Sequence, residues 1–370
     1  MGELIRNTPE LETVCAKIRA GGFVALDTEF VWRRTFRPLL CIVQLVGEDG
    51  DCRAVDCLTG LDPAPLGALL SDPGVVKVLH ASQQDLEHLR HYTGQTPVNV
   101  FDTQVAAAFA GFKSNMGLQK LLFEAINVGL PKTETLTDWS QRPLTAGQIE
   151  YALDDVRFLA RLRADLLRRA DELGTRSWLD EEMASLDDPD RYADLAPEDA
   201  WLRVKTGSLR LSRADWAVLR ELAAVREERA RIWNLPKQWL TEDVSLADLA
   251  IGGAESPRMH FRHRLKNNGL RDSLVAEYLH AYERGRALPE EEWPDDPRPR
   301  YITEVREAAE AAVEWLAARA EQLHIDAQLI ANRGVVTAFV NNVDDESIPL
   351  AQGWRYEVAG REMAEKFVVD

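Results

Sequence analysis

Apolar residues come first in short runs and later at helical spacing, and this change of period divides the chain. The stretches GFVALDTEF (22–30), LLCIVQLVG (39–47) and CRAVDCL (52–58) are short, apolar and bounded by turn residues, which predicts three consecutive strands. VVKVLHA (75–81) is an apolar run that ends in a helix start, and helical patterns follow at 83–92, 103–110, 116–126 and about 146–172. Strands alternating with helices predict an α/β layer architecture. After residue 180 no convincing strand occurs. SRADWAVLRELAAVREERARIWN (212–234) sets Trp216, Leu219, Leu222, Ala223 and Arg226 at helical spacing and ends at Asn234-Leu235-Pro236. YITEVREAAEAAVEWLAARAEQLHI (301–325) is the longest pattern after residue 300. The acidic, proline-bearing stretches 180–200 and 288–297 are candidate boundaries, giving segments 1–185, 205–290 and 298–370, the last two as small helical bundles.

Polar residues inside these patterns carry the candidate chemistry. Asp27 and Glu29 sit at i and i+2 of the first strand and share one face. Adjacent carboxylates repel unless a cation lies between them, and hard oxygen ligands suit Mg²⁺ or Mn²⁺; a bare D-x-E also fits a solvated strand edge. His80 falls at a junction and Asp85 in the first turn of the next helix, where Ser82 and Asp85 also match the capping box S-x-x-[DE]. Asp102, directly before an Ala-rich helix, reads as an N-cap. On the helix over 150–170, Tyr151, Asp155, Phe158 and Leu162 stack on one apolar stripe, while Asp154, Arg157, Arg161 and Arg168 form a solvated face on which Asp154 pairs with Arg157 or Arg161. A carboxylate on a buried stripe is costly unless paired or bound to metal. Asp27, Glu29, Asp85 and Asp155 together have the donors for two divalent ions roughly 3.5 to 4 Å apart, the arrangement that hydrolyses phosphodiesters.

A net charge of −17 argues at face value against a nucleic-acid partner, but much of the acid lies in the two boundary stretches. Against that background RMHFRHRLKNNGLR (258–271) is strongly basic, and Arg258, Arg262 and Lys266 recur at i+4 as one cationic edge; an ordinary solvated helix face has the same pattern. Hydrophobic residues make up 45% of the chain, enough for sizeable cores. Cys15, Cys41, Cys52 and Cys57 form no C-x-x-C pair, so reduced thiols rather than a zinc site are expected. No uncharged apolar run of about 18 residues occurs and the N-terminus is charged, which predicts a cytoplasmic protein without a membrane span.

FVALDTEF, HASQQDLEHL and YALDDV resemble, in order, the three exonuclease motifs of the DEDD superfamily, and Tyr151 with Asp155 matches the subgroup with a tyrosine in the third motif. TFRPLLCIVQL (35–45) and LTDWSQRPLTAGQIEYALDDV (136–156) are similar to the ribonuclease D family. Residues 211–250 resemble the helicase and RNase D C-terminal (HRDC) domain, and LIANRGVV (329–336) with GWRYEVAG (353–360) resembles a weaker second copy. The resemblance implies an α/β RNase H-like exonuclease domain with a mixed sheet, followed by two all-α HRDC-like helical bundles, the second degenerate. It implies 3′-to-5′ release of nucleoside 5′-monophosphates, with Asp27, Glu29, Asp85 and Asp155 as ligands of two Mg²⁺ or Mn²⁺ and Tyr151 holding the attacking water.

Substrate contacts are read from residue type. Phe30 and Trp32 suit base stacking, with a core phenylalanine and a tryptophan packing in a loop as the alternatives. Arg33, Arg34 and Arg37 suit backbone phosphates. His80 suits a hydrogen bond to substrate or a satisfied junction, and Lys113, Ser114 and Asn115 fall in a loop before a helix. The expected partner is RNA with a free 3′ end, tRNA precursors by family analogy, acted on by a monomer without a small-molecule cofactor. Two rivals remain: an exonuclease on DNA 3′ ends, and a catalytically silent nucleic-acid-binding scaffold, which would be expected to lose a ligand.

Overall fold

A computed structural model describes residues 4–32, 34–131, 137–252, 272–297 and 301–367. The chain packs as two compact units, one of Met1–Val31, Leu40–Ala193 and Tyr301–Asp370, the other of Trp32–Leu39 and Asp194–Arg300.

The first unit runs through β1 (Leu4–Ile5), α1 (Thr8–Gly21), β2 (Phe23–Val31), β3 (Leu39–Gly47), β4 (Cys52–Asp56), α2 (Ala64–Leu70), β5 (Val76–Leu79) and α3 (Gln83–Thr93). It continues with β6 (Val100–Asp102), α4 (Thr103–Phe109), α5 (Leu118–Ile126), α6 (Ala146–Arg157), α7 (Leu159–Leu173) and α8 (Arg176–Ala184). The strands form one sheet in the order β1-β4-β3-β2-β5-β6. β1 with β4, β2 with β5 and β5 with β6 are parallel while β3 with β4 is antiparallel, so the sheet is mixed, as expected. β3 is buried from Leu40 to Gly47, which is why its sequence is apolar at every position but Gln44 rather than alternating.

Asp102 ends β6 and caps α4, accepting from the amides of Gln104 at 2.7 Å and Val105 at 3.3 Å. It also accepts from the Ser82 amide at 2.7 Å and the Ser82 hydroxyl at 2.8 Å. Ser82 therefore caps no amide of α3, and the expected S-x-x-D box does not form. The single helix expected over 146–172 is two, broken at Phe158 with φ −107° and ψ 0°.

The C-terminal segment shares its core with the sheet. Leu316, Phe339 and Trp354 belong to the same buried cluster as Val24, Leu45 and Leu162. The Trp354 ring lies 5.2 Å from Phe109 and stacks on Trp178 at 5.9 Å. Arg355 forks onto Glu182 at 2.7 and 3.1 Å, and the Trp354 amide donates to Glu181 at 3.0 Å. Gly353 makes this approach possible: it has φ +59°, and a Cβ there would come within 2.0 Å of Glu181 Oε1.

The second unit is helical, with α9 (Arg213–Trp233), α10 (Lys237–Leu240), α11 (Asp243–Ile251) and a further helix over Asp272–Ala287. Ser212 and Asp215 form a capping box at the start of α9, whose Trp216, Leu219, Leu222 and Ala223 are buried together with Leu274 and Tyr278. Arg226 is buried on that stripe because Asp243 pairs with it at 2.8 Å and the Thr241 carbonyl accepts from it at 2.9 Å. Phe36 joins this unit through its amide, which donates to Asn234 at 3.2 Å. Its ring is faced by Arg37 and Arg231 at 5.6 Å and by Lys237 at 6.0 Å. No helix among the described residues is long and apolar enough to cross a membrane.

Candidate active site

β5 pairs with β2 over Phe23, Val24 and Ala25, so Asp27 and Glu29 lie past the end of that ladder on one face of β2. α6 packs on β2 and β4 and brings Asp155 to them. Carboxylate oxygens of Asp27, Glu29 and Asp155 lie within 4.8 Å of one another. Burial, then the charges of Asp85, Asp155 and Glu29, holds the Asp27 carboxyl well above the usual range. Glu29 is pushed up to about 8 by burial and then by Asp155 and Asp85; Asp155 rises to about 7 through burial and Asp154. No Lys or Arg among the described residues offsets these shifts. At this spacing two ionised carboxylates repel by about 3.5 kcal/mol at an effective dielectric constant near 20. Hard, part-buried oxygen donors without countercharge fit Mg²⁺ or Mn²⁺.

Asp85 lies outside that trio. It accepts a hydrogen bond from the Thr28 hydroxyl, and burial lifts its carboxyl to about 6 against the opposing effect of that bond. Asp154 pairs with Arg157, which also meets Glu150 at 2.8 Å. The solvated face assigned to Asp154 is nevertheless wrong: it is 9% exposed, on a helix that packs against β4. Tyr151 is part-buried, and its phenol is raised to about 12 by burial and then by Asp155, Glu29 and Asp27. Its ring faces Trp139 at 6.2 Å with planes 31° apart. Trp139 shares a small core with Tyr151, and Arg142 holds its turn to Asp56; residues 136–156 resemble ribonuclease D as a segment, but that resemblance assigns no role to any of these three.

The substrate candidates separate. Phe30 packs edge-on against His88 at 4.3 Å, and burial pushes His88 down to about 4. Both His80 nitrogens are engaged, Nδ1 with the Thr103 hydroxyl at 2.9 Å and Nε2 donating to the Met116 carbonyl at 3.0 Å, so the satisfied-junction reading accounts for it. Asn115 is exposed in a turn with φ 59°, and the neighbouring Ser114 amide donates to Asp326 at 3.0 Å. Trp32 and Arg34 belong to the helical unit, where Trp32 is 67% exposed and the Arg34 guanidinium lies 5.6 Å over Trp239. Arg37, read as a phosphate contact, pairs with Asp194. Arg33 and the basic run with Arg258, Arg262 and Lys266 lie outside the described residues.

Residues 3–171 match a family model described as a 3′-5′ exonuclease. The chain is 34% identical to the ribonuclease D of Zymomonas mobilis over 369 residues, spanning 97% of this chain and 92% of that protein. It is 36% identical to the ribonuclease D of Gluconacetobacter diazotrophicus over 364 residues, spanning 97% and 91%. The crystal structure of Escherichia coli RNase D, an exoribonuclease involved in structured RNA processing, matches with a TM-score of 0.84 at 30% identity, covering 99% of this chain and 98% of that one.

Proposed function

The chain belongs to the ribonuclease D family and is a 3′-to-5′ exoribonuclease, and from that premise we propose that it works by two-metal-ion phosphodiester hydrolysis, releasing nucleoside 5′-monophosphates from structured RNA such as tRNA precursors. The observation that carries this reading is the convergence of Asp27, Glu29 and Asp155 with no Lys or Arg among the described residues to offset them. Those three, with Asp85 as the fourth carboxylate, would hold Mg²⁺ or Mn²⁺. The ions would supply the activation of water at neutral pH and the stabilisation of the leaving 3′ oxygen.

The remaining work falls to side chains. With its phenol raised to about 12, Tyr151 stays protonated at neutral pH and orients the attacking water by hydrogen bonding rather than by removing its proton. The water oxygen attacks phosphorus as its proton passes to bulk solvent, the P–O3′ bond breaks, the 3′ oxygen takes a proton from solvent to become the new 3′-hydroxyl of the shortened chain, and the terminal nucleotide leaves as its 5′-monophosphate. The protein is expected to act as a monomer in the cytoplasm.

The test uses 5′-labelled RNA and DNA oligonucleotides with Mg²⁺, with Mn²⁺ and with EDTA. A shortening ladder on RNA that needs the metal is the expected result. A ladder on DNA alone would sink the RNA assignment, and the absence of any metal-dependent ladder would leave a nucleic-acid-binding scaffold.

A further inference from the structure

The turn before α6 is tied down far more heavily than a connecting loop requires. Asp138 closes it, accepting from the Ser140 amide at 3.1 Å and from Gln141 Nε2 at 2.9 Å. Arg142 then docks the turn on the sheet, with Nε and Nη2 forked onto the buried Asp56 carboxylate at 2.8 and 2.6 Å. Nη1 of the same guanidinium returns to the carbonyls of Trp139 and Gln141 at 2.7 and 2.8 Å. A bidentate fork fixes direction as well as distance. Asp56 is itself held, because its Oδ1 accepts from the Leu58 amide at 3.2 Å.

What this clamp fixes is an indole. Trp139 is 5% exposed and lies in a small core with Ile42, Ala54, Ala152 and Leu153, separate from the main one. Its ring faces that of Tyr151, which sits at the edge of the same core on the helix that carries Asp155. Tyr151 lies midway along α6, where the helix leaves its side chain two χ1 rotamers, and a fixed wall on one side of its ring selects between them.

We propose that Trp139, locked by the Arg142–Asp56 fork, is a positioning residue that aims the Tyr151 hydroxyl at the attacking water. This rests on the role given to Tyr151 above.

The experiment is a double-mutant cycle on the full chain, reading kcat on labelled RNA at saturating Mn²⁺ and Mn²⁺ affinity by calorimetry. Tyr151→Phe should lower kcat by about 10²-fold or more. Trp139→Leu should lower it by about 10²-fold through misplacement, with KM and Mn²⁺ affinity unchanged. Added to Tyr151→Phe, Trp139→Leu should cost nothing further, because there is no hydroxyl left to aim. Arg142→Lys, which breaks the fork but keeps the indole and the charge, should show the same dependence and carries the test if Trp139→Leu does not fold. An equal loss in the Tyr151→Phe background, or weakened Mn²⁺ binding, would overturn the positioning role. A Tyr151→Phe enzyme at full rate would overturn the reading of Tyr151 itself, and this inference with it.

Discussion

A carboxyl that is buried among other acids binds its proton more tightly in the folded chain than in the unfolded one. Asp27, Glu29 (about 8), Asp155 (about 7) and Asp85 (about 6) are all raised in this way. Between about pH 4 and 8 the metal-free folded state therefore holds more protons, so the stability linked to these groups is full at the acid end and lost as pH rises through the folded values. Thermal melts in EDTA should show Tm falling from pH 5 to pH 8. Asp27→Asn removes one of the converging charges; it should abolish turnover, flatten that slope and raise Tm at pH 8 by a few degrees, or about 1 kcal/mol. A mutant with the wild-type slope would place Asp27 outside the cluster. The trio was legible because strand and helix periods each predict which side chains share a face. Asp154 was not: its helical position reads as solvated, and its burial depends on the packing of α6 against the sheet. Ser82 misled for a similar reason, since the acid that takes its hydroxyl, Asp102, is 20 residues away in sequence.

Elements of several turns or strands of nine residues announce themselves, whereas β1 and β6, with two and three residues, have no period to read. The break at Phe158 was hidden differently. Val156, Leu159 and Leu162 are buried on both sides of it, so the apolar stripe runs on and no Gly or Pro marks the change of direction. The junction between α8 and the 353–360 segment is the clearest packing event between distant elements, with Trp354 buried against Phe109 and Trp178. Trp354→Ala should destabilise the sheet-bearing unit by about 3 to 5 kcal/mol, the usual range for emptying a buried tryptophan site. Denaturant unfolding followed by a probe on the sheet should show the lowered midpoint; an unchanged midpoint there would mean that the C-terminal helices are a separate module after all.

At the scale of the whole molecule the chain divides differently from its sequence. Boundary composition near 190 and 295 is visible, but the assignment of 301–370 to the unit of the sheet, and of 32–39 to the helical unit, depends on partners more than 150 residues away. No local pattern encodes such pairings. The net charge of −17 raises the same question for function, and the answer lies in where the acids converge rather than in their sum. If the convergent carboxylates hold divalent ions, titration of metal-free protein with Mn²⁺ at pH 7, followed by calorimetry in two buffers of different protonation enthalpy, will show it. Because Glu29 and Asp155 are raised to about 8 and 7, they are partly protonated at that pH, and cation binding must expel those protons. Mn²⁺ should be taken up with net proton release, and both should be lost in Asp155→Asn. Uptake that is unchanged in Asp155→Asn, or that releases no protons, would contradict metal binding by these carboxylates.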